Sequence, residues 1–349
     1  MRQTNDIEPT VCVTGQHRDL LDQVLDAFSV QPDYDLNLMR QAQTLSQSTS
    51  RILAALEPVL VEARPDLVLV QGDTTTTFAG ALAAFYQRIP VGHLEAGLRT
   101  WDLAQPFPEE SNRVLTGRLA SLHFAATEGA RQNLLKENVD PATVFVTGNT
   151  GIDAVLHVRD GLASGSLKVA NPVFRPNPRK KLILVTAHRR ESFGEGFQQI
   201  CDALLALSHR DDVEIAYPVH PNPNVRSIVE RTLQDRPNIA LLEPLGYVEF
   251  VDLMRQAYIL LTDSGGVQEE GPSLGKPILV MRDKTERPEA VEAGTVKLVG
   301  PHCERIVSEC VKLLDDRQSY DAMSRVHNPY GDGHASARIA DLIRSFLNK

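Results

Sequence analysis

The sequence predicts an α/β protein made of two doubly wound halves with a cleft between them, and three observations predict it. Short apolar runs alternate with amphipathic stretches along the 349 residues. The runs are continuously apolar rather than alternating, as expected for strands of a parallel sheet covered by helices on both faces. The rhythm breaks once, over 159–181, a segment rich in Gly, Ser, Asn, Pro and Lys/Arg, and then restarts. A chain of this length can bury two such cores.

In the first half, strands are expected at 11–14, 67–71, 91–94, 122–125 and 144–147. Helices are expected at 16–28, 45–63, 76–87, 108–119 and 127–137. The first helix illustrates the signal: Leu20, Leu21, Val24, Leu25 and Phe28 recur with a helical period. In the second half, strands are expected at 182–187, 213–217, 239–242, 259–262, 278–281 and 296–299, with helices in the gaps and from 303 on. Asn328-Pro-Tyr-Gly-Asp-Gly333 is a turn cluster before a last amphipathic helix, 335–347. The expected domains are 1–158 and 159–334, with the terminal segment 335–349 packing back on the first.

Composition excludes several function classes. A net charge of −9 argues against a nucleic-acid footprint or a polybasic membrane anchor. No apolar stretch approaches the roughly 20 residues of a membrane span, and the polar start MRQTNDIEP has no apolar leader core. Cysteines stand alone at 12, 201, 303 and 310, without a CxxC, so a reducing cytoplasm is the simplest setting. His93-Leu-Glu95 resembles half of a zinc-deaminase motif, but the PCxxC half is absent and no metal site is expected. GxGxxG and GxxxxGK[ST] are both missing, which sets aside nicotinamide and P-loop nucleotides.

Ligands of doubly wound sheets bind outside the carboxyl ends of the strands, and polar clusters stand at those ends here. Asp73 follows the 67–71 run and reads either as an N-cap or as a carboxylate in the cleft. His93 and Glu95 end the next strand beside Gly97, where a charge is costly to bury without purpose. Pro108, Glu109 and Glu110 open a helix and suit its positive end, a structural role that competes with a chemical one. His188, Arg189 and Arg190 gather after 182–187, where a negative ligand could sit. His220 ends another strand between stiffening prolines. TDSGGVQEEGPSLGKP, 262–277, carries a strand straight into a short helix. Ser264, Gly265 and Gly266 would let backbone N–H groups approach a phosphate, Glu270 would meet ribose hydroxyls, and Arg287 is a candidate anion fork. Together these point to a nucleotide diphosphate.

Seven segments carry a resemblance: GDTTTT at 72–77, GHLEAGLRT at 92–100, FPEESNR at 107–113, HRRESFG at 188–194, HPNPNVR at 220–226, TDSGGVQEEGPSLGKP at 262–277 and RDKTERPEA at 282–290. In this order they resemble the bacterial non-hydrolysing UDP-N-acetylglucosamine 2-epimerases, from about Val11 to the terminal helix. The resemblance implies two Rossmann-like domains of the glycosyltransferase B type, a homodimer, and interconversion of UDP-GlcNAc and UDP-ManNAc for surface polysaccharides. By it, Asp73, Glu95, Glu109 and His188 match catalytic positions. Phe250 matches a uracil contact, Ser264, Gly265 and Gly266 the diphosphate cradle, Glu270 the ribose ligand and Arg287 a further substrate contact. Gln16, Arg189 and His220 match residues implicated in activation by a second UDP-GlcNAc. The implied route removes the C2 proton as UDP leaves C1, giving 2-acetamidoglucal, to which UDP adds back after reprotonation on the other face. That chemistry needs two acid/base groups and no cofactor. A glycosyltransferase or hydrolase of the same fold, or an inactive UDP-sugar binder, are the competing readings.

The resemblance has one gap. The family opens with a strand, a Gly-Thr-Arg-Pro-Glu loop and a helix bearing a Lys, whereas this chain begins at the family's second strand. Losing about four buried apolar side chains of a central strand would forfeit roughly 6–12 kcal/mol, comparable with the ~5–15 kcal/mol stability of a domain. The expectation is a gene product that starts upstream, or a form that is poorly stable and weakly active.

Overall fold

The computed structural model describes residues 6–348 apart from 17, 41–42, 170–171, 190–191, 286 and 326, and apart from the side chains of 19 and 20. Arg190 therefore lies outside the described residues. The chain divides into two compact units: the residues up to Asp153 with those from Tyr330 on, and Ala154–Pro329.

The first unit contains β1 (Cys12–Val13), α1 (Arg18–Ala27), β2 (Tyr34–Asp35), α2 (Leu45–Ala63), β3 (Val68–Gln71), α3 (Thr75–Tyr86), β4 (Val91–Leu94), α4 (Glu109–Leu119), β5 (Leu122–Ala125), α5 (Glu128–Lys136) and β6 (Val144–Val146). α6 (Thr150–Ser164) starts in this unit and continues into the second. It also runs through the 158/159 point where the sequence places the boundary. At the other end, the Tyr330 carbonyl accepts the Asn149 N–H at 2.7 Å, both residues of the first unit.

β3, β4, β5 and β6 form a parallel sheet in that order, with Gly92 opposite Leu122 and His93 opposite His123. β1 and β2 pair in a separate two-stranded sheet, so among the described residues the first unit holds two sheets where a doubly wound half is expected to hold one. β2 has only two residues and no apolar run, and sequence patterning missed it. Helix starts follow side-chain chemistry. Thr44 and Gln47 form a reciprocal capping box on α2, and Thr127 caps α5. α14 (Ala335–Leu347) closes one face of this unit, with Ile339 and Ile343 packed on Leu122 and Phe124.

The second unit contains β7 (Lys181–Thr186), α7 (Glu195–Ser208), β8 (Val213–Pro218), α8 (Pro223–Leu233), β9 (Ile239–Leu242), α9 (Tyr247–Gln256), β10 (Ile259–Thr262), α10 (Gly265–Glu270), β11 (Ile278–Val280), α11 (Pro288–Glu292), β12 (Val296–Leu298), α12 (Cys303–Asp315) and α13 (Arg317–Ser324). Its six parallel strands run β12-β11-β10-β7-β8-β9. Leu182, Ile183, Leu184 and Val185 are all buried, so both faces of β7 are covered. Each such side chain contributes about 1.5–3 kcal/mol of burial. Phe197, Ile200 and Leu204 of α7 and Ile306 and Leu313 of α12 join Val185, Ile215 and Leu261 in one core. The strand order reverses between β7 and β10, which makes their carboxyl ends the switch point where ligands bind in such sheets. No helix among the described residues is long and apolar enough to cross a membrane.

Candidate active site

In the first unit, three carboxylate-bearing segments converge around one glycine. β3 ends at Gln71 and the chain turns at Gly72. Thr74, not Asp73, caps α3, its hydroxyl taking the Thr77 N–H at 3.2 Å. The N-cap reading of Asp73 therefore falls: a hydroxyl one residue later already satisfies the helix start. The Asp73 carboxylate is 3.2 Å from Arg113 Nη2, and its carbonyl accepts from Asn112 Nδ2 at 2.9 Å. Asn112 and Arg113 stand three and four places after Glu109 on α4, so the helix that carries Glu109 is the one that contacts Asp73.

Glu95 enters from the end of β4. It has φ +60°, a left-handed conformation that costs a non-glycine residue about 1–3 kcal/mol. Asn149 Nδ2 donates to its Oε1 at 2.8 Å, and a Cβ on Gly72 would stand 3.2 Å from its Oε2. Gly97 closes the same turn with φ +94°. Any larger residue there would place its Cβ 2.2 Å from the Ala130 carbonyl oxygen.

The neighbours separate structure from chemistry. Glu110 is buried and holds the 100–101 turn, its Oε1 accepting from Thr100 N at 3.0 Å and Trp101 N at 3.1 Å. Arg99 is buried in a two-pronged pair with Glu137, at 2.6 and 2.9 Å. His93 lies inside the sheet, Nε2 2.8 Å from the Gly72 carbonyl, and burial drives its pKa down to about 4. Gln16 Oε1 accepts from the Thr76 hydroxyl at 2.9 Å in the first turn of α3, and Thr76 Oγ1 lies 3.0 Å from Thr14 Oγ1.

In the second unit, the cluster sits at the β7/β10 switch point. His188 and Arg189 follow β7, and Asp263 follows β10 and is buried. One carboxylate oxygen of Asp263 accepts the backbone N–H groups of His188 at 2.6 Å and Arg189 at 2.7 Å. The His188 and His220 rings stack at 5.6 Å with planes 14° apart. Burial, and then the neighbouring His188, lower the His220 pKa.

Ser264 caps α10, and Gly265 opens it. The Arg287 guanidinium lies directly over Gly265, where a Cβ would meet Nη1 at 2.5 Å. Arg287 Nε pairs with Glu269 Oε1, so the guanidinium is held on the glycine turn by a buried carboxylate. Gln268 fastens the two segments, donating to the Ser264 carbonyl at 3.2 Å and accepting from Thr285 Oγ1 at 2.7 Å. Glu270 is held by the Tyr247 hydroxyl. Burial first, then the Glu270 charge, push that phenol well above its ordinary pKa. Tyr247 and Phe250 share the first turn of α9.

Asp263, Tyr247 and Asn149 are absent from the sequence-derived candidates. Asp263 and Asn149 follow strand ends, as Asp73 does, and that rule applied evenly finds them. Tyr247 carries no such signal, because its role depends on α9 lying beside α10.

Residues 1–344 match the model of a family described as UDP-N-acetylglucosamine 2-epimerase. The chain is 60% identical over 344 residues to the UDP-N-acetylglucosamine 2-epimerase of Escherichia coli K12, covering 97% of this chain and 91% of that one. Its fold is similar to the crystal structure of the Neisseria meningitidis UDP-GlcNAc 2-epimerase bound to UDP-GlcNAc. That comparison has a TM-score of 0.91 and 48% identity, covering 99% of this chain and 94% of the other. The Methanocaldococcus jannaschii enzyme in complex with UDP-GlcNAc and UDP matches at TM-score 0.80 and 33% identity, covering 99% and 93%. On these grounds, and with the strand-end carboxylates and glycine turn in place, the chain belongs to the UDP-N-acetylglucosamine 2-epimerase family, with its glycosyltransferase B fold.

Proposed function

We propose that the protein interconverts UDP-GlcNAc and UDP-ManNAc by eliminating UDP to 2-acetamidoglucal and adding it back. The observation that carries this reading is the convergence of Asp73, Glu95 and the Glu109 helix around Gly72. A C2 proton with no adjacent carbonyl needs a positioned base while the leaving group departs. Return on the opposite face needs a second proton carrier. Asp73, Glu95, Glu109 and His188 are the groups assigned to these transfers. Ser264, Gly265, Gly266 and Arg287 are assigned to the diphosphate, where charge builds as UDP leaves. Glu270 is assigned to the ribose and Phe250 to the uracil.

Gln16, Arg189 and His220 are assigned a regulatory role towards a second UDP-GlcNAc, and the product is assigned to surface polysaccharide synthesis in the cytoplasm. A homodimer is part of the proposal. Val61, Phe85, Tyr86 and Leu115 leave exposed apolar surface on α2, α3 and α4, successive helices of the first unit.

Incubation with UDP-GlcNAc in heavy water tests the reaction. Deuterium at C2 in both epimers is the expected NMR result. Free UDP with free sugar would make the protein a hydrolase, and saturable binding without exchange would make it a binder. Asp73→Asn should abolish exchange in a protein that still folds. Persistent exchange would remove Asp73 from the chemistry.

A further inference from the structure

Asp263 is wholly buried, and a buried carboxylate persists only where its charge is matched. It stands one residue beyond β10, with its N–H donated to the Thr186 carbonyl at 3.0 Å, so it is registered on β7 as well. Its Oδ2 is taken up by the N–H groups of His188 and Arg189. Its Oδ1 is 3.1 Å from His188 Nδ1. Holding the turn requires only the first oxygen. The second lies beside the imidazole and makes no hydrogen bond among the described residues.

The rest of the surroundings clamp the same ring. His220 covers one face. His220 Nδ1 accepts the Asn222 N–H at 3.1 Å, which places the His220 proton on Nε2. The buried Tyr217 hydroxyl donates to the carbonyl of Ala187, the residue before His188, at 2.9 Å. The His188 side chain is 39% exposed, so the edge turned from Asp263 is open to a ligand.

We propose that Asp263 is the positioning residue for His188: it holds the imidazole in the Nδ1–H tautomer and presents the Nε2 lone pair to the substrate. The inference rests on the reading of His188 as a group acting on the sugar nucleotide. In the transfer, Nε2 accepts a proton and the ring becomes imidazolium beside the Asp263 carboxylate. The proton then leaves from Nε2, and Asp263 stays ionised throughout.

Asp263→Asn separates this role from a purely structural one. The amide oxygen still accepts both backbone N–H groups, while the amide NH2 now faces His188 Nδ1. An NH2 there donates, and the ring must move its proton to Nε2. Histidine 15N spectra, assigned with His188→Gln, should show His188 as Nδ1–H in the wild type and Nε2–H in the variant. The kcat should fall by roughly a hundredfold or more, while KM for UDP-GlcNAc moves by less than about threefold.

A wild-type ring in the Nε2–H form overturns the proposal, and that spectrum decides it even if the variant fails to fold. A variant that changes tautomer and keeps wild-type kcat also overturns it. Full activity in His188→Gln removes the ring from the reaction. That outcome sinks the underlying reading while leaving the tautomer result intact, so the two failures are distinguishable.

Discussion

Lowering the pH should unload the first unit through two buried histidines that take no part in the proposed chemistry. His93 and His123 face each other across β4 and β5. Burial is the main reason both have pKa values lowered from 6.5 to about 4. His93 also faces His123, Arg99 and Arg113, which oppose its charge, and the Gly72 carbonyl, which favours it. His123 faces Arg99 against its charge, and Glu137 and the Ala120 carbonyl in favour. Both rings are neutral in the fold. As pH falls through 6.5 the unfolded chain binds protons that the folded chain refuses, so stability drops. The loss is complete near pH 4, and above 6.5 neither ring adds a pH dependence.

A shift of about 2.5 units is worth about 3 kcal/mol per ring, and the pair should remove about 5 kcal/mol between pH 7.5 and 4.5. That is a large part of a domain's ~5–15 kcal/mol. Urea melts followed through Trp101, the chain's one tryptophan and a residue of this unit, read the effect directly. The double variant His93→Gln, His123→Gln should lose about 5 kcal/mol less than the wild type over that range. If it loses as much, the two rings are not the source of the acid sensitivity, and the argument from burial is wrong.

Two further predictions contrast adjacent or packed residues. Glu110→Ala should cost about 3–5 kcal/mol, because it strands two backbone N–H groups and removes a carboxylate from buried Arg113. Partly buried Glu109→Ala should move stability by only about 0.5 kcal/mol yet abolish C2 exchange. Melts and exchange rates that reverse this order would exchange the two roles. Gly265→Ala places a Cβ 2.5 Å from Arg287 Nη1 and must push the guanidinium off Glu269. Calorimetry should show UDP affinity about tenfold weaker, or about 1.4 kcal/mol. Unchanged affinity would separate this glycine–arginine contact from nucleotide binding.

Strand ends were legible because a parallel sheet buried on both faces demands uninterrupted apolar runs, as Leu182–Val185 and Ile259–Leu261 show. Where such a run stops at Asp73, Glu95, His188 or Ser264, a polar residue type breaks the apolar pattern and marks a candidate site. α1 to α5 and α14 were legible through their helical period, while α6 was hidden by the glycines and serines that follow its middle.

What the amino-acid order decided by itself was the alternation of elements, and with it which residues stand at the carboxyl ends of strands. Tertiary structure alone decided which of those residues meet. Glu109 and Glu110 are neighbours in sequence, but only Glu110 is turned into the core, where it holds Thr100 and Trp101 and shares Arg113 with Asp73, while Glu109 stays partly exposed. Asp263 reaches His188 across 75 residues because β7 and β10 pair at the point where the strand order reverses. Such partnerships rest on sheet order and helix rotation, which are set by the packing of the whole core and leave no trace in any short stretch of sequence.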